Sequence, residues 1–120
     1  MPFKFHKTKI EGLILIENEV FGDNRGYFFE SYKKSDFSKN GIDIDFIQEN
    51  NSKSSKNVLR GLHFQAKPYA QGKLIRCTKG KILDCAVDLR QDSKTFKKYQ
   101  LFDLNEKNKH SLYIPKGFAH

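Results

Sequence analysis

The chain has 120 residues, a length that suits one domain with one core, and its 38% hydrophobic and 30% charged content is that of a globular chain rather than a disordered one. The formal net charge is +8, yet 18 of the 22 basic residues are lysines scattered along the chain, and the only arginines are Arg25, Arg60, Arg76 and Arg90. That texture argues against a nucleic-acid binder and for a solvated surface whose positive field draws small anions such as a sugar diphosphate. The apolar run 13–16 is far too short for a membrane span, and residues 1–7 lack the pattern of a signal peptide, so a cytoplasmic protein without membrane contact is expected. In that compartment Cys77 and Cys85 are expected to be free thiols filling the core.

Residues 1–21 read as extended, and Gly22, Asp23, Asn24, Arg25 and Gly26 supply the residue types of a turn. An aromatic-rich strand follows over 27–32. A single short helix is expected over 35–41, capped by Ser35 and ended by Gly41. Residues 42–50 are again extended, and 51–57 form a polar loop. Short strands are then expected at 58–65, 73–77, 82–89, 98–104 and 111–114, separated by turn residues such as Pro68, Gly72, Gly80 and Asn105. Many short strands and one helix give an all-β chain, best arranged as an antiparallel jelly roll, the double-stranded β-helix barrel. Alternation over 83–89 sets Leu83, Cys85, Val87 and Leu89 against Asp84, Ala86 and Asp88. The acidic face is either solvated or turned into a polar cavity.

The densest chemistry lies in 58–65, where Arg60, His63 and Gln65 interrupt apolar residues. A strict period of two puts Arg60 and His63 on opposite faces, and a bulge at Gly61 would bring both to one pocket. Lys73 opens the next strand, and Gln48 and Asn50 share a face as amides suited to a base or sugar hydroxyl. The end of the chain, Pro115, Gly117 and His120, fits the Pro-x-Gly-x-x-His motif of cupin-like barrels. The first cupin motif is only half present, with Gln65 where a second metal histidine belongs, so no metal is expected.

Together the segments 21–30, 48–52, 57–65, 71–77, 84–90 and 114–120 resemble the dTDP-4-dehydrorhamnose 3,5-epimerase family in order and spacing. The resemblance implies a homodimer acting without cofactor on a dTDP-4-keto-6-deoxy sugar. His63 is then the general base that takes the proton beside the ketone, and Lys73 steadies the enolate oxygen. Arg25 and Arg60 are assigned to diphosphate and sugar, Glu30, Gln48 and Asn50 to nucleotide or sugar contacts, and His120 to the pocket. Asp84 is expected to pair with Lys73 and hold it charged. The family continues past the position of His120 with a tyrosine acid that neither Tyr99 nor Tyr113 matches. Residues 1–120 are accordingly expected to form one cupin-like domain, incomplete at its C-terminus and without the acid. A nucleotide-sugar 3,4-ketoisomerase and a non-catalytic sugar-nucleotide binding module are the rival expectations.

Overall fold

A computed structural model describes residues 2–68 and 70–120; the Met1 end of the first extended segment lies outside them. The chain runs β1 (Phe3–Lys7), β2 (Ile14–Asn18), β3 (Val20–Asp23), β4 (Gly26–Phe29), α1 (Lys34–Lys39), β5 (Lys73–Arg76), β6 (Lys81–Asp88), β7 (Tyr99–Asn105), β8 (Ser111–Ile114) and β9 (Phe118–Ala119). All pairings are antiparallel. They build a four-stranded sheet β1-β2-β8-β5, a three-stranded sheet β7-β6-β9 and the separate hairpin β3-β4.

Burial follows from register. Ile14 opposes Tyr113 and Leu74 opposes Tyr113, whereas Leu15 and Ile75 oppose Leu112. Strand β8, central in its sheet, is buried along its whole length because both faces are covered. Leu112 and Ile114 meet Ala86, Phe102, Leu104 and Phe118 from the three-stranded sheet in one core cluster. Tyr113 turns the other way, into a second cluster with Phe3, Ile14, Ile16, Phe37 and Ile42. The molecule is therefore layered: three-stranded sheet, four-stranded sheet, then α1 with the extended segment behind it.

Helix α1 is short, and its packing rather than its length holds it in place. Its start is Lys33, with no side-chain cap, so Ser35 sits inside the helix instead of capping it. Its end is as expected: Gly41 N–H donates to Ser38 O and Ile42 N–H to Phe37 O, the paired bonds of a Schellman ending. Phe37 is fully buried, with Phe3, Phe5 and Tyr32 around it edge-on at centroid distances of 5.1, 5.1 and 4.7 Å. Ile42, Ile44 and Phe46 alternate inward along the segment expected as extended over 42–50, although the segment joins no sheet.

The strand expected at 58–65 is not formed: Val58, Leu59, Leu62 and Phe64 are 52, 91, 58 and 48% exposed, so the alternation has no sheet to bury it. In β6, of the two alternatives for the acidic face, the inward one holds. Leu83 is 71% exposed, whereas Asp84, Ala86 and Asp88 are buried. The carboxylates can be inward because each has partners there. Cys77 is buried and Cys85 half-buried, both as free thiols, and burial, aided by the nearby Asp84 charge, pushes the Cys85 thiol up.

The hairpin β3-β4 is held by cations. Arg76 lies 5.2 Å over the Phe29 ring and Lys109 Nζ 4.1 Å over Tyr27, which stacks on Phe29. Across the pair, Phe21 and Phe28 face each other and stay open to solvent at 54 and 70%.

Candidate active site

Lys73 begins β5 opposite Ile114, which places it on the face turned toward the three-stranded sheet. Beside it, His63, Gln65, Gln71 and Phe118 line a small recess together with Lys73. His63 arrives on irregular chain and is fixed by main-chain bonds. Its N–H donates to His120 O at 2.7 Å, and His120 N–H donates to His63 O at 2.9 Å. This two-way pairing seats residue 63 against the end of β9. Gly61 makes the approach possible: its φ is +99°, and a Cβ there would stand 2.8 Å from His120 O.

Asp84, mid-β6 and 6% exposed, accepts a hydrogen bond through Oδ1 from His120 Nε2, while its Oδ2 is buried without a partner. The expected pairing of Asp84 with Lys73 is thus replaced by one with His120. The reason is topological: Lys73 belongs to the four-stranded sheet, whereas β9 lies beside β6 and delivers His120 to Asp84. Through this bond Asp84 fixes one nitrogen of the His120 ring. Sequence reading misses this partnership because 36 residues separate the two.

The remaining residues lie outside the lining of the recess. Gly61 does break the strand period, but it does not bring Arg60 and His63 to one pocket. Arg60 donates from Nε to Ser54 Oγ at 2.8 Å and from its terminal nitrogen to Lys53 O at 3.0 Å, tying it to the polar loop. Gln48 Nε2 donates to Asn50 Oδ1 at 3.2 Å, so the two amides do share a face, exposed. Arg25 sits at the hairpin tip, its side chain 88% exposed and bonded to Asp23 at 2.7 Å. That partner pushes the Arg25 guanidinium up, and Arg25 in turn holds the Asp23 carboxyl down. Glu30 follows β4, half-buried. Tyr99 points outward, and burial pushes the Tyr113 phenol up, away from the range of an efficient acid. Among the described residues no three His, Cys, Asp or Glu side chains converge as a metal set. Among the described residues no helix is long and apolar enough to cross a membrane.

Two antiparallel sheets enclosing a core, with an imidazole and an ammonium lining one recess between them, define a cupin-like β-barrel protein. The family model for dTDP-4-dehydrorhamnose 3,5-epimerase matches residues 7–120, and the chain belongs to that family. It is 52% identical over 115 residues to the dTDP-4-dehydrorhamnose 3,5-epimerase of Escherichia coli strain K12, covering 95% of this chain and 62% of that one. The crystal structure of the Elizabethkingia anophelis NUHP1 enzyme of the same name superposes with a TM-score of 0.94 at 45% identity, over 100% of this chain and 66% of that one. The dTDP-6-deoxy-D-glucose-3,5-epimerase of Legionella pneumophila Philadelphia 1, solved in complex with dTDP-4-keto-L-rhamnose, gives 0.92 at 41% identity, over 98% and 63%. These neighbours bear out the antiparallel cupin-like fold. The chain spans a little under two thirds of the length of the curated relatives it matches.

Proposed function

We propose that this chain carries the proton-abstracting part of a site that epimerises a dTDP-4-keto-6-deoxy sugar at C3 and C5. The observation that carries the reading is the convergence of His63 and Lys73 on one recess. A C–H bond beside a ketone is acidic because the electrons it leaves form an enolate. His63 takes the proton onto its imidazole, whose ordinary pKa lies near neutrality. The bonding pair moves into the enolate, and the Lys73 ammonium donates a hydrogen bond to the oxygen as it becomes anionic. Return of a proton to the opposite face inverts the centre. The His120 imidazole, held by Asp84 and bonded through its main chain to His63, supplies a further hydrogen-bonding group for a hydroxyl of the sugar.

The Legionella relative, crystallised with dTDP-4-keto-L-rhamnose, supports the choice of substrate. The same reading makes the protein a cytoplasmic enzyme of rhamnose-type deoxysugar synthesis for lipopolysaccharide or other cell-surface polysaccharide. It also makes it a homodimer in which the β3-β4 hairpin carries Arg25 and Glu30 to the neighbouring site. Support for that exchange comes from the open Phe21–Phe28 pair and from Arg25, whose side chain stands 88% exposed at the hairpin tip. Arg60, Gln48 and Asn50 then take up phosphate, sugar and base contacts from segments free to re-form their present bonds.

Proton NMR of the 4-keto sugar nucleotide in D₂O tests the reading. Deuterium entering C3 and C5 in the presence of the protein is expected. A ketone moved to C3 would make the protein a ketoisomerase, and binding without exchange would make it a non-catalytic module.

A further inference from the structure

Arg90 resembles the arginines assigned to phosphate, but its surroundings give it other work. Asp88 is fully buried at the end of β6 and accepts Arg90 N–H and Nε–H at 3.0 Å each and a terminal guanidinium N–H at 3.1 Å. Ser93 Oγ and Thr95 Oγ1 donate to Oδ2, the oxygen that also accepts the terminal guanidinium N–H, at 2.5 and 2.6 Å. Burial opposes the charge of Asp88, yet these bonds outweigh it and hold the carboxyl well below the usual carboxylate range. The same terminal nitrogen also donates to Glu11 O at 2.6 Å, so the Nε–Nη2 edge of the Arg90 fork is held by two partners.

So fixed, Arg90 forms a wall against the chain that leads to His120. Its Cζ lies 4.8 Å over the Phe118 ring. Gly117, at φ +90°, passes so close that a Cβ there would meet Arg90 Cγ at 2.6 Å. Leu89 N–H donates to Gly117 O at 2.9 Å, and β9 pairs Phe118 with Asp88 and Ala119 with Val87. The next residue is His120, whose main chain makes the two bonds to His63. Among the described residues, those two are the backbone bonds that join residues 58–68 to the barrel.

We propose that Arg90, locked by Asp88, is a positioning residue for the site: it sets β9 in register so that His120 can hold His63 over the recess. It makes no contact with substrate. The inference rests on the assignment of His63 and His120 to the site, but it concerns where they are held rather than what they do. Its test therefore needs no turnover.

Amide hydrogen exchange and the ring N–H signal of His120 are compared in the intact chain, in Arg90→Lys and in Phe118→Leu. Lysine keeps a charge for Asp88 but loses the fork and the stacking; leucine leaves the Arg90–Asp88 pair whole and removes only the ring. Both variants are expected to exchange the His63 and His120 amides at least about tenfold faster and to weaken the downfield His120 ring proton bonded to Asp84. The Leu15 and Leu112 amides of the four-stranded sheet should keep their rates. Unchanged His63 and His120 amides in both variants would overturn the proposal. Acceleration spread evenly over the chain in both would also overturn it, by making the brace a matter of general stability. Failure of the D₂O reaction in the intact chain, with this local pattern present, would count against the catalytic reading alone.

Discussion

Lys73 and Asp84 stand on strands, and His120 ends a strand whose partners are buried. Arg60, Gln48 and Asn50 stand on chain without sheet partners, bonded only to near neighbours, and Arg25 stands at a hairpin tip. The first group is held by main-chain ladders; the second is held by single side-chain bonds that an arriving anion can replace. The contrast matches the division of labour proposed here, since proton transfer needs fixed geometry and recognition of a flexible sugar diphosphate benefits from adaptable contacts. His63 falls between the groups: its segment is irregular, yet its own main chain is pinned to His120.

The largest effect should come from that pinned base. His63→Ala is expected to lower solvent-deuterium exchange of the 4-keto sugar by about 10²- to 10⁴-fold while nucleotide affinity changes little, as read by NMR exchange and calorimetry. Exchange within a few-fold of the unaltered protein would remove His63 from the chemistry. A companion pair sharpens the contrast. Lys73→Met should lower turnover much more than binding, because the enolate exists only after proton removal, whereas Arg60→Ala should weaken binding, because the diphosphate is charged throughout. The reverse pattern would exchange the roles of the strand-borne and loop-borne cations.

The strands of the barrel were legible because alternation there is real. Residues 111–114 were expected as a strand and are β8, and 73–77 and 98–104 fall within a residue of β5 and β7. The same alternation misleads at 58–65, where the left-handed Gly61 and the pairing of His63 with a chain end 57 residues on replace a ladder. In β6 the periodicity is right and the sidedness is not legible. Asp84 and Asp88 are inward because His120, Arg90, Ser93 and Thr95 neutralise or hydrogen-bond them, and only His120 and the topology together reveal the first of these. The meeting of His63 and Lys73 at one recess agrees with the motif order; the partner of Asp84 and the anchoring of His63 are tertiary facts with no local trace.

Next in size is an effect on stability that separates the covered face of the four-stranded sheet from the hairpin. Phe37→Ala should cost about 3–5 kcal/mol in denaturant melts, since the buried ring leaves a cavity among Phe3, Phe5 and Tyr32. Phe28→Ser, at a ring 70% exposed, should leave the melt of the isolated chain nearly unchanged. Equal losses would mean that the hairpin is packed as a core element.

Asp88 gives a smaller effect with a pH signature. Its folded carboxyl lies below the unfolded value of about 3.9, so between the two the unfolded chain binds more protons and stability drops as the pH is lowered. Its contribution is complete above about pH 5 and is lost as pH falls through the folded value. Asp88→Asn should therefore be less stable than the original near neutrality, by about 3 kcal/mol, with the gap narrowing steadily below pH 4. A gap that stays constant into acid would mean that packing of the side chain, and not its charge, is what β6 needs.

The smallest effect on the fold should belong to Arg25. Its partner Asp23 is exposed as well, and such pairs are screened by water and salt, so Arg25→Ala should leave the melting midpoint where it was. Its consequence is expected elsewhere. If the hairpin serves the neighbouring site, an Arg25→Ala subunit retains a usable His63, and a His63→Ala subunit retains a usable Arg25. Each homodimer has two defective sites, but a mixed dimer joins the intact His63 of one chain to the intact Arg25 of the other. After equal mixing and verified subunit exchange, about a quarter of the original sites should be restored, since half the dimers are mixed and each rebuilds one of its two sites. Recovered exchange at that level would assign the hairpin tip to the partner's recess. No recovery would return Arg25 to its own subunit, and the open Phe21–Phe28 face would then need another explanation.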